Sequence, residues 1–299
     1  MGICNVTPDS FSDGGTSFTL DAARARVDAL LAEGADVLDI GGESTRPGAQ
    51  PIPAKEQLAR VLEVVRYASA KCQERQERGE YSCVSIDTTS AEVAAACLDA
   101  GASAVNDVSC LRDDELAKVA AGSGAALVLM HTRGVPMEMR GFGAYPEGAY
   151  VDIVRDVLVE WTAAAERAAQ LGVARDVIVM DPGLGFGKSA QHSAELVRRI
   201  GELVVALSGP VLLGASRKSF LTLVDADAPA TERIGGSIAA ALHASRAGVE
   251  IVRVHDVRAT RQAIDLDRLL SHDPRRAPAA EPVSTHMRAR RSNAPRREG

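Results

Sequence analysis

The residues in this chain that could do chemistry stand where short apolar runs end. Asn5 follows "MGIC", Asp39 lies in "DVLDIGG", Asp87 follows "CVSI", and Asn106 and Asp107 follow "SAV". Further along, His131 follows "ALVLM", Asp181 follows "VIVM", Ser216 ends "PVLLGAS", and Arg253 and His255 sit in "EIVRVHD". Asp87, Asn106 and Asp181 offer carboxylates and an amide, groups that pair with the N–H and amino edges of a flat heterocycle. Arg253 and His255 are two residues apart in an extended run, so they point the same way, and they are read as cationic donors suited to phosphate oxygens. Asn5 can give a neutral oxygen to a metal that bridges phosphates. Taken together, these residue types describe a site with a heterocycle at one end and a phosphate or pyrophosphate at the other.

Such residues can act together only if the fold brings the ends of the runs to one place. The runs "MGICNV", "DVLDIGG", "CVSIDT", "SAVNDV", "ALVLMH", "VIVMDP", "PVLLGAS" and "EIVRVHD" read as strands. Between them lie helical patterns such as "LDAARARVDALLAEGA", "TSAEVAAACLDAGA", "DDELAKVAAGSGA", "YVDIVRDVLVEWTAAAERAAQLGV" and "ERIGGSIAAALHASRAGV". Gly34, Gly101, Gly172 and Gly248 close helical segments, as C-terminal caps do. Eight strand–helix units in about 270 residues give the expected fold class: α/β, a (β/α)8 TIM barrel whose strand ends converge on one face. A polar group at every strand end is hard to explain by helix capping, because caps belong one or two residues further on, in the loop.

Two loops call for separate reading. Asn5 to Gly15, "NVTPDSFSDGG", is rich in turn formers and begins where a strand ends, which marks it as functional or disordered. "DPGLGFGKS" imitates a phosphate-binding loop, but Pro182 occupies the position where such a loop needs its first Gly. Gly185, Gly187 and Ala190 fit a dinucleotide fingerprint, yet no acidic residue ends the next strand to hold a ribose. Its glycines are read as giving a flat ligand close access to the backbone.

Composition limits the rest. The chain has 299 residues, 46% hydrophobic and 3% aromatic, enough for one large core of Ala, Val, Leu and Ile. Five scattered cysteines without CxxC spacing argue against a disulfide framework or structural zinc. No stretch approaches a membrane span and no basic leader precedes an apolar core, so a cytoplasmic protein without membrane or nucleic-acid partners is expected. The segment 271–299 has seven Arg, four Pro and few large apolar residues, so a disordered basic tail is expected after a catalytic domain at 1–270.

"NVTPDSFSDGG", "DIGGESTRPGA", "SIDT", "NDVS", "DPGLGFGKS", "SRKSF" and "RVHDV" occur in the order and on the strands seen in the dihydropteroate synthases, the folate-pathway transferases that sulfonamides target. The resemblance runs from Gly2 to about Leu270. It implies condensation of 6-hydroxymethyl-7,8-dihydropterin pyrophosphate with p-aminobenzoate, giving 7,8-dihydropteroate and pyrophosphate, with Mg2+ as cofactor and a homodimer as assembly. It also implies that Asp39, Asp87, Asn106, Asp181, Gly214 and Lys218 surround the pterin, with Met130 against its ring. Arg253 and His255 would take the pyrophosphate, and Asn5 its Mg2+. Thr45, Arg46, Pro47, Phe186 and Ser219 would form the aminobenzoate pocket, the helix behind Ser219 meeting the carboxylate. By the same resemblance Asp87, Lys218, Arg253 and Asp13 would be the catalytic set, and the loop with Phe11 and Asp13 would close over the pterin.

Three departures stand out. The chain begins inside its first strand, where the family has a preceding segment, so a start further upstream is expected. Cys110 follows "NDVS" where the family has Gly, so an altered loop is expected there. "AKCQERQERGEYSC" is more polar and longer than in the family, but should lie away from the site. Two other readings stay open: a pterin-dependent methyltransferase, which would lack "ESTRPGA" and "SRKSF", and a catalytically inactive pterin-binding paralogue.

Overall fold

Every strand of this chain is short, and each pairs in parallel with the next. The structure, a computed structural model, describes residues 1–7, 19–44, 50–134 and 145–271. Strands β1 (Gly2–Asn5), β2 (Val37–Gly41), β3 (Cys83–Asp87), β4 (Ala104–Asp107), β5 (Ala126–Met130) and β6 (Ile178–Asp181) pair in sequence order. β7 (Leu212–Leu213) pairs with β8 (Ile251–Val252). Bridges between Met180 and Val211 and between Gly2 and Val254 join the two sheets, so the eight strands form a closed (β/α)8 TIM barrel. The last two strands are shorter than their apolar runs: Gly214 to Ser216 and Arg253 to His255 lie beyond the ladder, although Arg253 N still donates to Leu213 O.

Closure fixes which way each side chain faces. Ile3 pairs with Asp39, Asp39 with Ser85, and Ser85 with Ala104, and residues paired in register share one face of the sheet. Val128, Val179 and Leu212, packed with Met1 and Ile251, fill the interior. By the same period of two, Asn5, Asp87, Asn106, Met130, Asp181, Gly214 and Arg253 point inward at the C-terminal mouth. Leu38, Ile40, Val84, Ile86, Val105, Leu127 and Leu129 point outward and pack into one core with the helices.

Helices α1 (Leu20–Ala32), α2 (Ala54–Glu77), α3 (Ala91–Asp99), α4 (Asp114–Ser123), α5 (Ile153–Gln170), α6 (Ala190–Arg198), α7 (Ile200–Ala206), α8 (Ile234–Arg246) and α9 (Val257–Ser271) surround the barrel. Local chemistry sets their ends. Thr19, Ser90, Asp113, Asp152 and Ser189 accept backbone N–H groups at the starts of α1, α3, α4, α5 and α6. Gly34, Gly101, Gly172 and Gly248 follow helices with φ between +92° and +106°, as their positions in the sequence predict. Most of "AKCQERQERGEYSC" is the exposed end of α2, and the rest leads to the start of β3, at the barrel end opposite the mouth. Ser271 closes α9 rather than opening a tail, and 272–299 lie outside the described residues.

Cys110 carries the clearest backbone cost. It has φ +60°, and Leu111 after it has φ +56°, a left-handed pair whose first position would suit Gly. The loop keeps its form because Asp107 accepts from Ser109 N and Oγ and from Leu111 N. We predict that Cys110→Gly changes stability by less than about 1 kcal/mol, since relief of roughly 1–2 kcal/mol of strain is offset by lost packing and a more mobile unfolded chain. Cys110→Val, β-branched in the same conformation, should fall at least ~1 kcal/mol below the glycine variant. Urea denaturation of the three proteins checks the order.

Candidate active site

Arg253 lies across the inside of the barrel mouth between two carboxylates. Its Nε donates to Asp39 Oδ2 at 2.6 Å and its Nη2 to Asp87 Oδ2 at 2.8 Å. Asn106 Nδ2 donates to the same Asp39 oxygen at 3.0 Å. Asp39 Oδ1 and the Ser85 Oγ beside it in register are buried with no hydrogen-bond partner. Burial pushes the Asp87 carboxyl up to about 7, Asp39 adding to the rise and Arg253 opposing it. For Arg253, burial disfavours the charge, but Asp39 and Asp87 outweigh it and hold the guanidinium ionised.

Asp181 and Lys218 stand across from this cluster. Gly214 separates them: a Cβ there would come within 3.8 Å of Asp181 Oδ2 and 4.0 Å of both Lys218 Nζ and Arg253 Cβ. Lys218 Nζ donates to Leu184 O at 2.7 Å and lies 4.9 Å above the Phe186 ring. Burial raises the Asp181 pKa, against the pull of Lys218 and of the Gly183 N–H that Asp181 accepts. Burial lowers Lys218 to about 8, with Asp181 opposing. Phe186, Met130 and Val108 form a small apolar cluster apart from the main core. The mouth thus has a flat apolar wall, a floor with three carboxylates against two cations, and a buried carboxylate oxygen lacking a donor.

The rim departs from expectation in two ways. His255 is not a cationic donor here: its Nδ1 pairs with Ser216 Oγ at 3.1 Å, and burial, aided by Arg217 and Arg253, lowers its pKa to about 4. Ser219 is followed only by the 3-10 helix Ser219–Leu223, too short to carry a helix dipole, so nothing of that kind faces a carboxylate. Asn5 ends β1 and faces the mouth. Among the described residues no group of three or more His, Cys, Asp or Glu could hold a metal, so Asn5 fits only an ion that takes most of its ligands from substrate and water. Asp13, Thr45, Arg46 and Pro47, with Phe11, lie outside the described residues.

Two other strand-end residues face away from the mouth. Asp107 caps its own loop, and His131 is buried behind β5 with Nε2 on Glu160 at 2.9 Å. The glycines of "DPGLGFGKS" serve the backbone rather than a ligand. Gly183, Gly185 and Gly187 have φ of +66°, +80° and +61°. A Cβ on Gly183 would strike His131 O at 2.0 Å, and one on Gly187 would meet Arg133 O at 2.7 Å. The hydrophobic-to-polar pattern missed Ser85, Leu184 and Lys188. Lys188 sits in the very motif set aside as no phosphate loop, and its lysine next to three alternating glycines was the available signal.

The sequence pattern of the family described as pterin binding enzyme matches residues 1–255. The dihydropteroate synthase of Streptococcus pyogenes is 40% identical over 266 residues, covering 88% of this chain and 92% of that one. A probable bifunctional folylpolyglutamate synthase/dihydropteroate synthase of Haloferax volcanii is 40% identical over 276 residues, covering 92% of this chain but 31% of its own. The chain therefore spans about a third of that longer relative. The solved dihydropteroate synthase of Xanthomonas albilineans with 4-aminobenzoic acid superposes with a TM-score of 0.81 at 38% identity, covering 93% of each chain.

The Asp87 pKa predicts a pH dependence. Its folded value, about 7, lies above the ordinary 3.8, so its contribution to stability is complete below about pH 4 and is lost as pH rises through 7. Parent minus Asp87→Asn stability should therefore decrease from pH 4.5 to 7.5 in denaturant titrations; a flat difference would count against a raised Asp87. Arg253→Met, which leaves two buried carboxylates uncompensated, should cost about 3–5 kcal/mol, and adding Asp87→Asn should recover part of it.

Proposed function

The chain belongs to the pterin binding enzyme family, and from that membership we propose that it acts as a dihydropteroate synthase, condensing 6-hydroxymethyl-7,8-dihydropterin pyrophosphate with p-aminobenzoate. The reading rests above all on the mouth itself: Arg253 held between Asp39 and Asp87, with Asp181 and Lys218 opposite and a buried Asp39 oxygen without a donor. A pterin ring offers several N–H donors along one edge. Asp39, Asp87, Asn106 and Asp181 supply acceptors for that edge, and Gly214 leaves room for a flat ring beneath Met130.

The carboxylate excess also supports the chemistry. As the C–O bond to pyrophosphate breaks, positive charge grows on the pterin methylene, and fixed carboxylates in a water-poor cavity stabilise it without reorganising. The aniline nitrogen of p-aminobenzoate forms the new C–N bond and releases a proton to solvent, and pyrophosphate departs with the electron pair. Phe186 would orient the aniline ring, with Lys218 against the pterin beside it. Asn5 would hold Mg2+, which neutralises charge on the leaving pyrophosphate. In this reading His255 acts on the diphosphate as a neutral imidazole or gains a proton only once the dianion arrives.

The reading includes a cytoplasmic enzyme, since all five cysteines are free thiols in the described residues and no described helix can cross a membrane. It includes a homodimer, supported by the exposed Leu266, Leu269 and Leu270 along α9. Sulfonamides, which share the aniline of p-aminobenzoate, should compete with it.

Purified protein given both substrates should release pyrophosphate and form dihydropteroate in equal amounts, and EDTA should abolish turnover. Asp181→Asn should weaken pterin binding by about 10- to 150-fold, the loss of a charged hydrogen bond worth roughly 1.5–3 kcal/mol, with the melting temperature nearly unchanged. Calorimetry that finds equal pterin affinity in the parent and this variant would overturn the site assignment, and absence of pyrophosphate release the function.

A further inference from the structure

Lys188 is among the largest fully buried side chains of the protein, 1% exposed, and it belongs to the glycine motif that has no phosphate to bind. Its Nζ meets four acceptors: His131 Nδ1 at 2.8 Å, Phe186 O at 3.0 Å, Gly183 O at 3.1 Å and His131 O at 3.2 Å. Burial lowers its pKa to about 7, with Asp181 opposing, and the protonated amine is the form that donates to all three carbonyls. For Nδ1 to accept, His131 must carry its proton on Nε2, where Glu160 accepts it, and Arg133 in turn holds Glu160. Burial keeps His131 uncharged, its pKa near 3. The ammonium thus ties the carbonyls of the 183–187 loop to the end of β5.

That loop carries much of the site. Gly183 N donates to Asp181, Leu184 O receives Lys218, and the Phe186 ring packs on Met130 beneath Lys218. Three left-handed glycines give it more freedom to lose on folding than an ordinary loop. Two other ties, Ser193 Oγ accepting from Gly185 N and Tyr150 OH donating to Gly187 O, fix its outer half. Lys188 ties the carbonyls of Gly183 and Phe186 to the end of β5, beside the bond from Gly183 N to Asp181 on β6. We infer that Lys188 is a positioning residue of the reaction: its ammonium sets the loop's shape, and so the placement of the Phe186 ring and of the Leu184 carbonyl that holds Lys218. This inference rests on the function proposed above.

Full-length parent, Lys188→Met, Lys188→Arg and Tyr150→Phe are compared by steady-state kinetics and by amide hydrogen exchange read on the 182–189 peptide. Losing several charged hydrogen bonds, Lys188→Met should raise KM for p-aminobenzoate about 10- to 100-fold while kcat falls far less, and should speed exchange in that peptide ahead of the rest. Lys188→Arg should restore KM in part. Tyr150→Phe, which loses one neutral hydrogen bond to the loop's outer half, should raise KM about two- to fivefold without unfolding, and if Lys188→Met does not fold, the KM and exchange of Lys188→Arg decide the matter. Unchanged KM in the folded variants, with exchange at 183–187 no faster than the global rate, overturns the inference as a purely structural role. Lack of turnover in the parent overturns the proposed function instead, and the exchange data then decide the clamp alone.

Discussion

Closing a parallel sheet into a ring removes its edges and shuts every second side chain of each strand into the interior. In this chain the lower interior is apolar, with Val128, Val179 and Leu212 against Met1 and Ile251. The inward faces of the other strands carry Asp39, Ser85 and Asn106, and Arg253 follows Ile251 by two residues on the same face. Little solvent reaches the floor there, so its polar groups find partners on other strands, Asp39 Oδ1 and Ser85 Oγ excepted. Arg253 finds Asp39 and Asp87, and the barrel's diameter decides that it can.

Desolvation and pairing compete at this floor, and they give different outcomes for different groups. For Arg253 the two nearby carboxylates win and the charge is kept. For Asp87 burial wins and the proton is held more tightly. A floor with more carboxylates than cations, and one buried oxygen left over, is costly for the empty protein. That cost suits a site meant to receive a donor-rich ring and to face positive charge as a bond breaks.

The loop after β6 follows a similar economy by another route. Alternating glycines let the chain pass close under the ends of β5, where a side chain at Gly183 would collide with the His131 carbonyl. A loop with that much freedom needs something to fix it. A buried lysine amine among main-chain oxygens adds directed hydrogen bonds to the packing of Leu184 and Phe186.

The sequence alone specified the barrel, because a strand every few dozen residues, helices closed by glycine and polar residues at each strand end leave few other arrangements of eight parallel units. It also indicated which residues would gather at the mouth, since the period of two carries from strand to strand once the ladder is closed. It could not say what each residue does there. Asp107 and His131 end strands as Asp87 does, yet one residue of register turns them away from the mouth. His255 stands two residues after Arg253, but burial, aided by Arg217 and Arg253, lowers its pKa to about 4. Lys188 lies in a motif that reads as a failed phosphate loop, and only the meeting of β5 with the loop after β6 gives its charge a use. Residue types and spacing are local and survive in one dimension. Burial, partners and protonation depend on groups far away in sequence, and only the tertiary structure brings those together.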